Sequence, residues 1–459
     1  MDRPFRWSGR RAAMRKAPMA ILLSMLFLAA CGSPGTPRVV VVTATSVRQM
    51  VVVTTTPADT PEPAPTPTPE PSAATVNPLA WQLPPTTPVD SERRGPRLVN
   101  YAHRYDLLVT SGIPDIEERL AQWDVIILNP DHHLSLDRIR QTNPDIRILV
   151  WIPLQGPSGS LYDGFRPSWN CRTVDGTTLI APWNEPLANP YADDCGYVYH
   201  VLDYLQDRHQ HYDGVLYDCM WMHPRSGADI NEDGRLDDLD VQAFQSAMLT
   251  LLRETRQRFP GWIITGNGGL PWPPGSAYYQ YANGNMHENA LGDQFGDPGW
   301  SYMWWAYNTV TAESQEPPCH FINVDVRAST RSQTQAAHLN LLTEDDLRRL
   351  RLGLVGSMLL DSGYFGFDRG DCLHGQLWWF DEYDVDVGDA LGPYSQDLYG
   401  PGTFSREFEN GVVILNGTDS PIRVELDTTH LDVSLRLEAT TFLIPPNDAR
   451  ILLVVGDRE

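Results

Sequence analysis

Residues 212–218 read Tyr-Asp-Gly-Val-Leu-Tyr-Asp, a short apolar run that ends on a carboxylate. From about residue 96 similar runs alternate with segments of helical spacing, the pattern of a parallel sheet covered by helices. The runs lie at residues 97–101, 125–128, 146–153, 214–217, 262–265, 284–287, 320–324 and 364–367. Eight strands in this alternation predict an α/β fold, a (β/α)8 TIM barrel, over residues 96–399.

The spacing of apolar residues elsewhere in the chain predicts the helices of the barrel and a second domain after it. Helical spacing covers residues 116–123, 197–208, 241–259 and 343–360, and Thr343 with Asp346 forms a candidate capping box. After residue 400 the runs become β-like, at 408–415, 422–426 and 449–455, with Asn-Gly turns between some of them. We therefore predict a small antiparallel β domain over residues 400–459.

The N-terminus predicts export. Basic residues precede an apolar segment at residues 19–30, which is short for a membrane span and ends in Leu28-Ala29-Ala30-Cys31. We interpret residues 1–30 as a lipoprotein signal peptide and Cys31 as the lipidated residue of a protein anchored to the membrane and facing outside the cytoplasm. An ordinary secretory peptide is the alternative. Residues 31–95 are rich in Pro and Thr and predict a disordered tether.

Charge and composition exclude several classes of function. The formal net charge of −23 argues against nucleic acid and polyanions as partners. The single lysine, Lys16, lies in the predicted signal peptide, so the mature chain has no lysine for a Schiff base or a P-loop. An oxidising compartment permits disulfides, and we expect Cys171 with Cys195 and Cys319 with Cys372, leaving Cys219 over.

The carboxyl ends of the predicted strands carry the candidate chemistry, because active residues of such barrels lie there. Asp218 follows strand four and Glu288 follows strand six, and glycoside hydrolysis needs two carboxyl groups of this kind. A helix cap for Asp218 and a loop carboxylate for Glu288 are the structural alternatives. The candidate substrate-binding residues at the other ends are Tyr101, His103, Asn129, Trp151, Trp221, Asn267, Asp325 and Asp368.

Residues 229–240 have the spacing of a calcium-binding loop. Oxygen ligands are expected from Asp229, Asn231, Asp233, the carbonyl of Arg235, Asp237 and Asp240, with Gly234 at the sharp turn. Position 12 is aspartate rather than glutamate, as in dockerin-type loops, which this segment resembles. A solvated acidic turn is the alternative. We expect a structural Ca²⁺ beside the rim of the barrel.

The chain also resembles the hypothetical glycosyl hydrolase family 15 group. The resemblance is carried by residues 99–101, 212–218, 283–288, 364–368, 406–413 and 445–449, and it covers about residues 96–455. It implies a barrel and a sugar substrate. The placement of Asp218 and Glu288 on strands four and six is similar to that in α-galactosidase-like barrels, which implies Asp218 as nucleophile, Glu288 as acid/base, and retention.

These observations favour a glycoside hydrolase, an enzyme with a two-carboxylate mechanism that acts on an extracellular poly- or oligosaccharide. A non-catalytic glycan-binding surface lipoprotein on the same barrel is the first alternative. A structural surface protein, in which calcium and the tether matter most, is the second. Loss of turnover with retained sugar binding in Asp218 and Glu288 variants would distinguish the enzyme from the binder.

Overall fold

A computed structural model of the protein describes residues 81–90, 92, 94–104, 106, 112–181, 184–268, 272–288, 299–325, 342–368 and 374–456. The predicted signal peptide, the lipidation site at Cys31 and the tether up to residue 80 lie outside this part. Within it, no helix has both the length and the apolar character that a membrane span needs.

Eight parallel strands form one sheet in chain order. They are β1 (Val99–Asn100), β2 (Val125–Leu128), β3 (Arg147–Pro153), β4 (Gly214–Asp218), β5 (Ile263–Asn267), β6 (Gly284–Glu288), β7 (His320–Asp325) and β8 (Gly363–Asp368). A parallel bridge between Leu98 and Phe365 joins the first strand to the last and closes the sheet. The predicted (β/α)8 barrel is confirmed.

Helices lie between the strands in the described part of the chain. They are α1 (Ile116–Leu120), α2 (Leu136–Thr142), α3 (Ala192–Arg208), α4 (Asp238–Arg258), α5 (Gly299–Thr311) and α6 (Glu344–Met358), and short 3₁₀ turns cover Ala102–Arg104, Gly159–Tyr162, Pro167–Trp169, Ala277–Gln280 and Asp381–Tyr383. Thr343 and Asp346 cap each other's backbone N–H at the start of α6, as predicted. Helix α2 was not predicted, because seven residues show too little periodicity.

Alternation along the strands separates two apolar layers. Every second side chain of a strand points into the barrel. The inward-facing side chains form an inner cluster that includes Val125, Ile127, Leu149, Leu216, Ile263, Met286 and Phe321. The other side chains pack against the helices in a larger outer cluster. The inner layer is therefore a packed core that is mainly apolar, and Asp218 and Glu288 lie where their strands end.

A second sheet follows the barrel. Its strands are β9 (Ser395–Gln396), β10 (Thr403–Phe408), β11 (Gly411–Asn416), β12 (Ile422–Asp432), β13 (Leu437–Ile444) and β14 (Asp448–Val454), in the antiparallel order β13-β12-β14-β11-β10-β9. The predicted C-terminal antiparallel β domain is confirmed. Its sheet begins at Ser395, before the boundary predicted at residue 400.

A buried ion-pair group joins this sheet to the barrel. Arg351 on α6 donates from Nε and Nη2 to the two carboxylate oxygens of Asp448 on β14, at 2.8 and 2.9 Å. Arg450 lies 2.8 Å from the same carboxylate through Nη1. The side chains of Arg351 and Asp448 are only 8% and 2% exposed, so each charge depends on its partner for solvation.

Two predictions about the chain are wrong. Residues 81–90 were assigned to a disordered tether, but Gln82 pairs with Trp379 and the Val89 N–H donates to Thr142, so this segment packs against the barrel. Cys171 and Cys195 are free thiols and form no disulfide with each other; Cys171 is buried in a loop hairpin and Cys195 lies at the partly buried start of α3. Cys319 is also free, and Cys372 lies outside the described residues.

Candidate active site

The last inward-facing side chains of the strands form a polar layer above the apolar interior. Leu149 and Trp151, Leu216 and Asp218, and Met286 and Glu288 are each two positions apart on a strand, so the side chains of each pair point the same way. Asp218, Asn267 and Glu288 are the final residues of β4, β5 and β6, and these strands pair in parallel. The predicted carboxylates Asp218 and Glu288 therefore lie at one edge of the barrel.

Asn267 connects these two carboxylates. Its Nδ2 donates to Oδ1 of Asp218 at 3.0 Å and to Oε2 of Glu288 at 2.8 Å. Because one nitrogen donates both hydrogen bonds, the two acceptor oxygens lie within about 6 Å of each other. The Asn267 carbonyl accepts the Met220 N–H at 2.7 Å, which fixes the β5 backbone to the segment after Asp218.

Two further donors hold Asp218. Trp151 Nε1 donates to Oδ2 at 3.0 Å, and the Cys219 N–H donates to Oδ1 at 2.8 Å. Cys219 has a positive φ of 58°, a backbone conformation that costs energy in a residue other than glycine. This strained residue directly follows Asp218, and its backbone N–H points at the Asp218 carboxylate.

Glu288 belongs to a second chain of contacts that involves His374. Nε2 of His374 lies 3.1 Å from Oε1 of Glu288, and Nδ1 lies 2.9 Å from Oδ2 of Asp368. Asn323 Nδ2 donates to the same Asp368 oxygen at 3.2 Å. The side chains of His374 and Asp368 are each 5% exposed and that of Glu288 is 17% exposed, so only the Glu288 end of this chain approaches solvent.

The electrostatics of the site follow from these contacts. Burial and the negative charge of Glu288 raise the pKa of Asp218 to about 6. Burial by itself would lower the pKa of His374, but Asp368 and Glu288 outweigh it and raise that pKa well above its usual value. Burial and the His374 charge lower the pKa of His103. The two imidazoles of the site thus have pKa values shifted in opposite directions.

Aromatic rings form one wall of the site. The Tyr101 ring lies 4.5 Å from His374 and 4.6 Å from His103, measured between centroids, and His103 lies 4.8 Å from Trp151. Tyr101 and His103 are both buried. The predicted substrate-binding residues Tyr101, His103 and Trp151 therefore lie together, with His374 behind them.

Other predicted residues lie farther along the rim. Asp325 ends β7, is buried, and is in register with Asp368 on β8. Asn129 follows β2, where its Oδ1 accepts the Asp131 N–H at 2.9 Å. Trp221 packs partly buried on the outer apolar cluster. Asn129 and Trp221 thus make local and packing contacts.

Asn323 and His374 were not predicted. Asn323 lies two residues before Asp325 on the same face of β7, so strand alternation was a usable signal. Gly366 makes room for it, since a Cβ there would lie 2.4 Å from Oδ1 of Asn323. His374 lies in the segment after β8, outside any strand, and no periodicity in the sequence indicates where such a side chain points.

The loop at residues 229–240 folds around its two end carboxylates. Asp229 accepts the N–H groups of Asp233 and Gly234, and Asp240 accepts those of Ile230, Asn231 and Asp237. Asp237 caps α4, and Gly234 has a φ of +80°. In the described part of the chain, no three His, Cys, Asp or Glu side chains are arranged to hold a metal ion.

Comparison with known proteins supports the predicted resemblance. Residues 197–412 match the model of the hypothetical glycosyl hydrolase family 15, a stretch that contains Asp218, Asn267, Glu288, Asp368 and His374. The resemblance to this family is confirmed, and the match supports a glycosidase. A search of curated proteins found no match.

Several solved structures are similar in fold. The maltogenic α-amylase AmyB from Thermotoga neapolitana shares 9% identity over 80% of this chain and 100% of its own, with a TM-score of 0.45. The glycoside hydrolase domain of PelA from Pseudomonas aeruginosa shares 17% identity over 61% of this chain and 98% of its own, with a TM-score of 0.37. The α-galactosidase AgaA from Geobacillus stearothermophilus shares 9% sequence identity, with a TM-score of 0.42. The match covers 79% of this chain and 56% of AgaA.

Proposed function

We propose that this chain, which carries the match to a glycosyl hydrolase family, hydrolyses glycosidic bonds of an extracellular poly- or oligosaccharide with Asp218 and Glu288. The observation that carries the proposal is the Asn267 amide nitrogen bonded to both carboxylates. A separation within about 6 Å is close to the about 5–5.5 Å of retaining enzymes and short of the about 6.5–9.5 Å of inverting ones. We therefore propose retention.

In this mechanism Asp218 attacks the anomeric carbon while Glu288 donates its proton to the departing glycosidic oxygen. A bond forms between Asp218 and the sugar, and the free alcohol leaves. Glu288 then removes a proton from water, whose oxygen attacks the anomeric carbon and releases Asp218. Trp151, Asn267 and the Cys219 N–H donate to Asp218 and stabilise its charge between these steps.

The test is hydrolysis of a broad glycan panel by residues 81–459, read as new reducing ends. Proton NMR of the first product formed gives the anomeric outcome. Retention of configuration on at least one glycan is expected, and inversion would contradict the roles proposed for the pair. Sugar binding without release of any product would favour the glycan-binding alternative.

We also propose that residues 229–240 bind a structural Ca²⁺. Support comes from the order of oxygen donors and from the Ile230 N–H bond to Asp240, which brings loop positions 2 and 12 together. Asp229, Asn231, Asp233, Asp240 and the Arg235 carbonyl would hold the ion, with Asp237 at position 9. The ion would neutralise the loop carboxylates and stiffen the connection from β4 to α4.

Removal of Ca²⁺ is expected to lower the melting temperature of residues 81–459 by about 5 °C, because an ion bound only to the folded state stabilises it. The measurement is a thermal scan with EGTA in excess Mg²⁺. Asp233→Asn should reduce this difference, while Asp238→Asn, an exposed residue outside the ligand positions, should leave it intact. Equal melting temperatures with and without EGTA would rule out the ion.

Export and lipid anchoring remain a proposal from residues 1–31. The apolar segment followed by Leu28-Ala29-Ala30-Cys31 supports it. The full chain, expressed in a bacterium, should fractionate with the membrane and lack residues 1–30, and Cys31→Ser should release it from that fraction. Recovery of the uncleaved parent chain from the cytoplasm would contradict the proposal.

A further inference from the structure

His374 is buried between two carboxylates, and both of its ring nitrogens are engaged. Nδ1 faces Asp368 at 2.9 Å and Nε2 faces Glu288 at 3.1 Å. Carboxylate oxygens accept hydrogen bonds, so a neutral imidazole, which carries one N–H, can satisfy only one of these contacts. An imidazolium satisfies both, and the geometry therefore favours the doubly protonated ring.

The surroundings of His374 carry more negative than positive charge. Asp368 approaches from β8, Glu288 from β6, and the neutral rings of Tyr101 and His103 from the segment after β1. Asp218 on β4 lies near enough for the His374 charge to oppose the rise in the pKa of Asp218. One imidazolium among these carboxyl groups offsets the negative charge that Glu288 carries after it has given its proton to the leaving group.

The contacts also restrict where Glu288 can point. Oε1 of Glu288 is held by His374 and Oε2 by Asn267, so the two oxygens have different partners on opposite sides. His374 is itself held by Asp368, which accepts from Asn323. This is the support that a residue needs if it must stay within about 0.5 Å of its working position.

We propose that His374 is a positioning residue, an imidazolium clamped by Asp368 that holds the Glu288 carboxyl group in place opposite Asp218. Its importance for turnover rests on the proposed function. The charged state of the ring does not, since it follows from contacts present in the free protein. The two parts of the inference can therefore be tested separately.

The first test is NMR of the full chain labelled with ¹⁵N in the histidine rings. The His374 signals are assigned by their loss in His374→Gln. We expect the ring to remain doubly protonated at pH 8, where an ordinary histidine with a pKa of about 6.5 is neutral. Asp368→Asn should lower its titration midpoint by at least about one pH unit, since it removes one of two charges. A single protonated nitrogen at pH 8 would overturn the clamp.

The second test uses a glycan that the parent hydrolyses. His374→Gln should lower kcat by about a hundredfold with little change in KM, because it misplaces Glu288 rather than removing a substrate contact. The alkaline limb of kcat/KM should also move to higher pH. His211→Gln, an exposed histidine before β4, is the control and should match the parent. Unchanged kcat in His374→Gln overturns the positioning role, whereas a charged His374 in a protein that hydrolyses nothing overturns the proposed function.

Discussion

Asp218→Asn should lower kcat/KM by about a thousandfold or more, and Glu288→Gln by about a hundred- to ten-thousandfold, while both proteins stay folded. Each change keeps the size of the side chain and its ability to contact Asn267. Each removes the group that attacks the sugar or transfers the proton. The measurement is initial rates on a glycan that the parent hydrolyses, with circular dichroism to show that the fold is retained.

The control for these variants is Asp207→Asn, an exposed carboxylate at the end of α3, which leads into the start of β4 and not its carboxyl end. It should retain the parent rate. Binding of the same glycan by Asp218→Asn, measured by calorimetry, should persist, since the variant still offers the Trp151 and Tyr101 wall. A variant of Asp218 with more than about a tenth of the parent rate would exclude this residue from the chemistry.

The pH profile distinguishes the two possible roles of Asp218. Its pKa of about 6 means that it is ionised above pH 6 and protonated below. A nucleophile must be ionised, so we expect kcat/KM to rise as the pH increases through about 6. If Asp218 instead supplied the proton, kcat/KM would fall over the same range, and the roles of Asp218 and Glu288 would have to be exchanged.

Asp448→Ala should lower the free energy of unfolding by about 3–5 kcal/mol, the effect of breaking a buried ion pair. The variant removes the carboxylate that Arg351 and Arg450 both contact, and their side chains are 8% and 5% exposed. Glu344 and Asp432 remain as single partners of Arg351 and Arg450, so we expect the lower end of this range. Urea unfolding of residues 81–459, monitored by tryptophan fluorescence, gives the measurement.

The matched control is Arg423→Met. Arg423 pairs with Glu425 at 2.8 Å, but these side chains are 67% and 69% exposed, so the change should cost less than about 1 kcal/mol. If Asp448→Ala and Arg423→Met had the same small effect, the sheet and the barrel would not depend on the buried group. A larger effect of Asp448→Ala confined to the sheet would show two separate unfolding transitions.

The barrel could be predicted because buried parallel strands are continuous apolar runs, as in residues 125–128 and 146–153. Strand β6 was the weakest prediction, since Gly284-Asn285-Met286-His287 has few apolar residues. Its assignment depended on the alternation of its neighbours. Helix α2 and strand β13 show little periodicity of their own, and tertiary contacts determine them.

The site could be predicted in part. Asp218 and Glu288 end their strands, and parallel strands bring their ends to one edge, so the sequence was sufficient to pair them. The contact of His374 with Glu288 depends on the path of the chain after β8, which leaves no periodic signal. Residues 81–90 have the composition of a tether, yet Trp81 and Leu83 pack on the core, and two side chains are too few to show in the sequence pattern.

The contact between Arg351 and Asp448 has a consequence for how the protein folds while it is being synthesised. Arg351 lies in the last barrel helix, and its carboxylate partner lies on the last strand of the chain, 97 residues later. A nascent chain that has released the barrel but not β14 leaves the Arg351 guanidinium with Glu344 as its remaining carboxylate partner and leaves the face of α6 that β14 covers exposed. The packing of α6 is therefore completed only when β14 is made, and we expect chains cut short before Asp448 to be more sensitive to proteases.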